Sequence, residues 1–281
     1  MAVRRSTFKK ICSLIHLTEG TKSDLFKTEE TVDMVAVSVE AGDSIRYYAA
    51  YSEESRQWLY DIRSGSVALI RVNGFISDGV CAMISDFADV VSSDDKVTGI
   101  VIQINSPGGT VTGVQSVASA LYNSAKPVAV RVTGMCCSAA YWIASGAGKI
   151  FLSSPSCEVG SVGTMGIYVN SKEAMKSEGY DVREIYPDTS DLKNRPSRDI
   201  EENDDETAFK AHLSRLHRLF CDDVARGRKM KYDPADPLFR GATLMGDDAV
   251  KACWADGYAT LPEAVRWVSA QQVVREANRS V

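Results

Sequence analysis

Two short stretches carry residue types and spacings that do chemistry. In "GMCCSAAYWIAS", residues 134–145, Ser138 stands between two cysteines and an apolar, alanine-rich run that reads as the start of a buried helix. A serine there is either an N-cap or a group set to carry developing negative charge, because the first N–H groups of the helix and the positive end of its dipole surround the hydroxyl. In "INSPGG", Gly108 and Gly109 follow a proline at the end of a strand-like run. Such a turn frees backbone N–H groups, which serve the turn alone or stabilise an oxyanion. In other hydrolases a nucleophile and its oxyanion donors share one elbow.

A serine nucleophile needs a base. The chain has three histidines, His16, His212 and His217, none close to Ser138 in sequence, and the last two fall on a long amphipathic stretch. A Ser-His-Asp triad is therefore disfavoured, and the Ser-Lys variant becomes the candidate. A lysine serves as base where burial or neighbouring positive charge lowers its pKa. Lys149, Lys172, Lys176 and Lys193 lie between Ser138 and the long helix, and spacing does not choose among them. Cys136 and Cys137 drop out as rivals, since no nearby histidine would activate a thiolate.

Composition bounds the partners. With 281 residues, 44% hydrophobic and 25% charged, the chain can bury a sizeable core. A net charge of -5 lacks the basic surplus of a nucleic-acid binder. Seven cysteines, scattered and without CxxC pairs, fit free thiols in a reducing compartment and no zinc site. The basic "MAVRRSTFKKICSLIHLTEG" has an apolar run too short for a secretory segment or membrane anchor, so a soluble, cytoplasmic protein is expected.

The elements that would position these residues follow from periodicity. Residues 1–64 read as an N-terminal extension or cap. From residue 65, "SVALIRVNGFI", "VTGIVIQIN" and "KPVAVRVTG" are continuous apolar strands, and "GVCAMISDFADVVSSDD" and "VTGVQSVASALYNSA" are spaced as helices. Strand–helix alternation with strands buried on both faces predicts an α/β fold, whose sites form where strand ends meet helix starts. Further on, "KIFLSSPSCEVGSVGTMGIYVN" reads as two short strands, "SKEAMKSEGY" as a helix, "DVREIY" as a strand and "PDTSDLKNRPSRDIEENDDE" as an exposed loop. A long amphipathic helix carries Phe209, Leu213, Leu216, Phe220 and Val224 on one stripe, and two short helices follow before a tail at 269–281.

Together the motifs resemble the signal peptide peptidase A family of Ser-Lys serine peptidases, including phage relatives that process capsid proteins during head assembly. The resemblance spans residues 65 to about 268. It is carried by "GIVIQINSPGGTV", "GMCCSAAYWIAS", "VGSVGTMGIYV", the lysine of "SDLKNRPSRDI" and "FRGATLMGDDAVKACWADGYATLPEAV", in the family's order. It implies a crotonase- or Clp-protease-like fold of repeated ββα units with an added C-terminal helical segment. It also implies Ser138 as nucleophile, Lys193 as its base, and an oxyanion hole from the backbone N–H of Gly108 or Gly109 with that of Ala139. A homo-oligomer acting on protein or peptide substrates, with capsid or scaffold proteins among the candidates, is implied too, and no cofactor or metal. A phage-encoded enzyme would work in the host cytoplasm or procapsid. Two positions depart from the family pattern: Ser-Ala-Ala replaces Ser-Gly-Gly after the elbow, and Lys193 lacks the commoner Ser-Gly-x-x-Lys-Asp context. A Clp-type protease would need a histidine after the serine, and residues 155–170 contain none. Crotonase-type acyl-CoA enzymes use carboxylates instead. A catalytically silent scaffold keeping the same fold is the alternative from another class.

Overall fold

The β-branched runs form strands and the segments spaced at helical intervals form helices, as their patterns require. The computed structural model describes residues 31–40, 43–52, 57–58 and 61–279. Its N-terminal strands are β1 (Thr31–Val39), β2 (Ile45–Ser52) and β3 (Gln57–Trp58). Next come β4 (Ser66–Ile76), α1 (Asp78–Ser93), β5 (Val97–Gly109) and α2 (Val114–Tyr122). They lead to β6 (Val128–Cys137), α3 (Ala139–Ser145), β7 (Lys149–Leu152) and β8 (Glu158–Gly160). An arm carrying α4 (Lys172–Ser177) precedes α5 (Arg195–Asn203) and the long α6 (Thr207–Gly227). The described chain closes with β9 (Thr243–Met245), α7 (Gly246–Lys251), β10 (Gly257–Tyr258) and α8 (Leu261–Arg279).

The sheet runs in the order β10-β7-β6-β5-β4-β1-β2-β3, with β8 paired to β6 and β9 at one end. Strands β4, β5, β6, β7 and β10 are mutually parallel, which requires the crossovers that α1, α2 and α3 supply. Both faces are covered. Ile100, Ile102 and Ile104 of β5 pack with Ile84, Phe87, Val117, Trp142 and Phe220, whereas Leu69, Val101 and Ala129 lie under Ala264, Val265 and Val268 of α8. The α/β class expected from the strand rhythm is the one observed.

Several local expectations change. Within the segment read as an extension or cap, β1 pairs antiparallel with β4 and β2 with β1, so these residues continue the main sheet. The cause is apolar: Met34 and Ala36 join the core on one face and Val37 the core on the other. Residues 1–30 lie outside the described residues. The "SPGG" run does not leave the sheet as a turn but extends β5 to Gly109, opposite Ile76. "DVREIY" forms no strand, for it has no pairing neighbour and is mostly exposed. The polar segment expected as a loop holds α5, nucleated by a proline in its first turn and an Arg195–Asp199 pair at 2.7 Å. Residues 269–279 continue α8 rather than forming a separate tail.

Candidate active site

Ser138 occupies the single residue between β6 and α3. What aims it is a break in pairing. Between Ile104 and Ser106 of β5 the register jumps across Val132 to Cys136 of β6, so β6 bulges over its neighbour. Asn105 Oδ1 accepts from the Met135 N–H at 3.0 Å and Thr133 Oγ1 donates to the Ile104 carbonyl at 3.3 Å, replacing ladder bonds lost there. Beyond the bulge, the Ser138 N–H donates to the Gly160 carbonyl at 2.8 Å and its own carbonyl accepts from Trp142 N–H at 3.0 Å.

The backbone of Ser138 has φ 53° and ψ −125°. This is the first central position of a type II′ turn, a region that glycine dominates, and holding a side chain there costs about 1–3 kcal/mol. Although Ser138 stands at the N-cap position, its hydroxyl makes no capping hydrogen bond. The two readings of Ser138 thereby separate: the side chain is presented by a strained elbow and spent on no helix N–H.

Gly108 meets this elbow directly, and Gly109 packs on the neighbouring strand β4. A Cβ on Gly108, whose φ is +107°, would lie 2.6 Å from Ser138 Cβ, 2.8 Å from the Cys137 carbonyl oxygen and 3.1 Å from Ala139 N. One on Gly109 would lie 1.9 Å from the Ile76 carbonyl oxygen. The pair is thus needed for close approach of two backbones. Their N–H groups differ in use: Gly108 N–H already donates to the buried Ser106 Oγ at 3.1 Å. Ala139 opens α3, where N–H groups have no intrahelical acceptor.

Every residue of α3 is buried, which holds the elbow still. Tyr141 stacks on Trp254 with centroids 4.9 Å apart and donates its hydroxyl to the Trp254 carbonyl at 2.8 Å. Trp142 stacks on Phe220 of α6 at 4.5 Å and donates Nε1–H to the buried Asp223 carboxylate at 2.8 Å. The flanking thiols are quiet. Burial pushes Cys137 up to about 11, helped by Glu158, and holds Cys136 well above the ordinary thiol value.

Lys193 sits apart from this compact group, exposed in the turn between a 3-10 turn at Asp188–Ser190 and α5. Its N–H donates to the Ser190 carbonyl at 3.1 Å. Among the described residues no hydrogen bond or ion pair engages its ammonium, and none joins it to Ser138. The structure therefore brings Gly108 against Ser138 and Ala139, sets Gly109 beside them against Ile76, and leaves Lys193 on the arm. Of the other candidate bases, Lys149 pairs with Asp256 at 2.9 Å and Lys172 with Glu201 at 2.6 Å.

Ser106, Gly160 and Ser161 escaped the reading of the residues. Gly160, whose carbonyl takes the Ser138 N–H, has φ +117°, which glycine adopts freely, and the strained residue is Ser161, just past β8, at φ +53°. The first glycine of "VGSVG" at a strand end is the one signal of it, for glycine alone adopts such backbone freely. Only pairing with β6 reveals that Ser106 and Gly160 touch the elbow.

The pattern of peptidase family S49 matches residues 120–275, and that of Clp protease matches residues 63–159. With the parallel sheet and its crossovers, the latter makes the fold Clp-protease-like. "Protease 4" from Salmonella typhi is 28% identical over 211 residues, covering 72% of this chain and 34% of that protein. "Capsid assembly protease C" from Escherichia phage lambda is 25% identical over 176 residues, covering 62% and 39% respectively. The chain thus spans little more than a third of these relatives' lengths. A solved membrane-bound stomatin-specific protease covers 68% of this chain and 77% of its own at 15% identity, with a TM-score of 0.43. No helix among the described residues is long and apolar enough to cross a membrane.

Proposed function

This chain belongs to peptidase family S49, and from that premise we propose that it is a serine endopeptidase with Ser138 as nucleophile and Lys193 as general base. The carrying observation is the left-handed backbone of Ser138 together with its uncapped hydroxyl. In acylation, Ser138 Oγ attacks the peptide carbonyl carbon while Lys193 Nζ takes the hydroxyl proton. The carbonyl oxygen becomes an oxyanion beside the N–H of Ala139 and the Gly108–Gly109 backbone. Collapse expels the amine, which receives the proton from Lys193. Water, deprotonated by the same lysine, then hydrolyses the acyl-enzyme. No metal or cofactor enters either half.

A lysine acts as base where it is desolvated. Lys193 ends an arm whose Met165, Ile167, Val169, Ile185 and Leu192 side chains face solvent, Ile185 at 89%. An apolar surface of that kind supports a homo-oligomer whose packing covers the arm and encloses Lys193. The substrates are proteins or peptides, and the lambda relative supports capsid or scaffold proteins as candidates, processed in a host cytoplasm or procapsid.

The exposure of Lys193 favours one competing reading, a catalytically silent scaffold with this fold. Fluorophosphonate labelling read by peptide mass spectrometry, alongside hydrolysis of candidate capsid proteins, separates the two. The peptidase reading expects a label on Ser138, absent in Ser138→Ala, with hydrolysis lost in Ser138→Ala and Lys193→Ala. A folded, oligomeric protein that takes no label and cleaves nothing is the scaffold. Full hydrolysis in Lys193→Ala with none in Ser138→Ala moves the base to Lys172 or Lys176.

A further inference from the structure

Resting on Lys193 as the base of Ser138, we propose that Arg198 is its positioning residue, fixing the turn that carries the lysine. Arg198 lies in the first turn of α5, and its Nη2 reaches back to donate to the Asp191 carbonyl and, at 3.4 Å, to that of Lys193 itself. The guanidinium lies 4.6 Å over the ring of Tyr186. That ring is held in turn: Asn194 Nδ2 donates to the Tyr186 hydroxyl at 3.2 Å, and the hydroxyl donates to Glu184. Asn194, the residue after Lys193, has φ 56°, a left-handed conformation that asparagine tolerates better than most residues. Thus one planar cation, one ring and one left-handed residue define the turn from both sides of Lys193.

Two features separate Arg198 from an ordinary surface arginine. Among the described residues it pairs with no carboxylate, although α5 offers Asp199, Glu201 and Glu202 nearby; Arg195 takes Asp199 and Lys172 takes Glu201. Its Nε is closed off from solvent without a hydrogen-bond partner among the described residues. An unmet buried donor costs stability, and here it accompanies a geometry that aims the other nitrogens at carbonyls flanking the proposed base. A guanidinium suits this work, since it stacks through its plane while donating at its edge.

The turn is also tied back to the nucleophile. Helix α5 packs on α6, and α6 holds α3 through the Trp142–Phe220 stack and the Trp142–Asp223 hydrogen bond. The helix that Ser138 precedes and the helix that holds Arg198 therefore both pack against α6. Arg198 converts that placement into a placement of Lys193.

The experiment compares Arg198→Met, Arg198→Lys and Lys193→Ala for kcat and KM on a cleaved peptide, for the rate of Ser138 fluorophosphonate labelling, and for thermal midpoint and oligomer size. Misplacing a catalytic group by an ångström costs up to about a hundredfold, so Arg198→Met should lower kcat and labelling by about ten- to a hundredfold with KM unchanged. Arg198→Lys, which keeps donors for the two carbonyls but loses the planar stack on Tyr186, should recover only part of that loss. A folded Arg198→Met with kcat within about twofold of the parent, beside an inactive Lys193→Ala, overturns the positioning role and leaves the base intact. An active Lys193→Ala instead overturns the base, and the positioning role with it. Should Arg198→Met fail to fold, Tyr186→Leu and Arg198→Lys decide: loss of kcat in Tyr186→Leu supports the clamp, and parental kcat in both overturns it.

Discussion

Replacing Ser138 by alanine and by glycine separates the strained elbow from a helix cap by the sign of the stability change. A cap serine lost to alanine costs about 0.5–2 kcal/mol, and to glycine a few tenths. The structure argues otherwise. The hydroxyl caps nothing, so Ser138→Ala, which keeps the Cβ and its strain, should leave stability within about 0.5 kcal/mol. Ser138→Gly removes the Cβ at φ 53° and ψ −125°, relieving about 1–3 kcal/mol. Extra freedom of glycine in the unfolded chain takes back about 0.5–1 kcal/mol. The net expectation runs from no change to a stabilisation of about 2.5 kcal/mol, a rise of up to about 5–10 °C for a chain of this size, while hydrolysis disappears in both variants. Denaturant unfolding at one protein concentration measures the change, beside a peptide-cleavage assay. Destabilisation of 1 kcal/mol or more in Ser138→Ala, with Ser138→Gly no better than the parent, would refute the elbow.

The proposed oxyanion region allows no side chain: Gly108→Ala and Gly109→Ala, whose new Cβ atoms would meet backbone at 2.8 Å and 1.9 Å, should each lose activity and about 2 kcal/mol or more, read by cleavage and unfolding. Asp256 accepts from Ile150 N–H, Lys149 and the nearly buried Arg228, and although burial raises its pKa, the Arg228 charge and these bonds hold it below 3.8. Asp256→Asn should therefore cost about 3 kcal/mol at neutral pH, since the nearly buried Arg228 loses its counter-charge and keeps, among the described residues, only the Cys253 carbonyl. Because the folded pKa is depressed, that contribution is complete above the unfolded value and drains as pH falls through the folded one. The deficit of the variant should accordingly shrink below about pH 4 in a pH series of unfolding midpoints. Trp142→Phe keeps the stack on Phe220 but removes the donor to buried Asp223, and should cost about 1–2 kcal/mol by the same measurement. Ile185→Glu places a charge on the apolar arm and should shift the sedimentation profile toward smaller species; an unchanged profile removes the arm from the interface.

Much of the architecture was legible because hydrophobic period is a local property. β4, β5, β6 and the long α6 follow from runs and stripes that tertiary packing had only to accept. The arm was less legible: "DVREIY" has a strand's composition but no neighbour to pair with, and α5 is polar enough to read as loop. Propensity is a weak prior where little is buried. Strand β1 hid for the opposite reason, since its antiparallel partner β4 lies far off in sequence, and β2 follows by pairing with β1.

The site divides along the same line. Residue type and order alone determined that a serine follows a buried strand, that two glycines end its neighbour and that no histidine lies close in sequence, because those are facts of composition and spacing. Whether Ser138 caps a helix or is offered by an elbow was undecidable there, since both uses want the same residue at the same helix start. Only the fold decided it, through a bulge of β6 over Asn105 that twists Ser138 into φ 53° and sets Gly108 against its Cβ. Contacts between strands remote in sequence, and not the local chain, impose that angle.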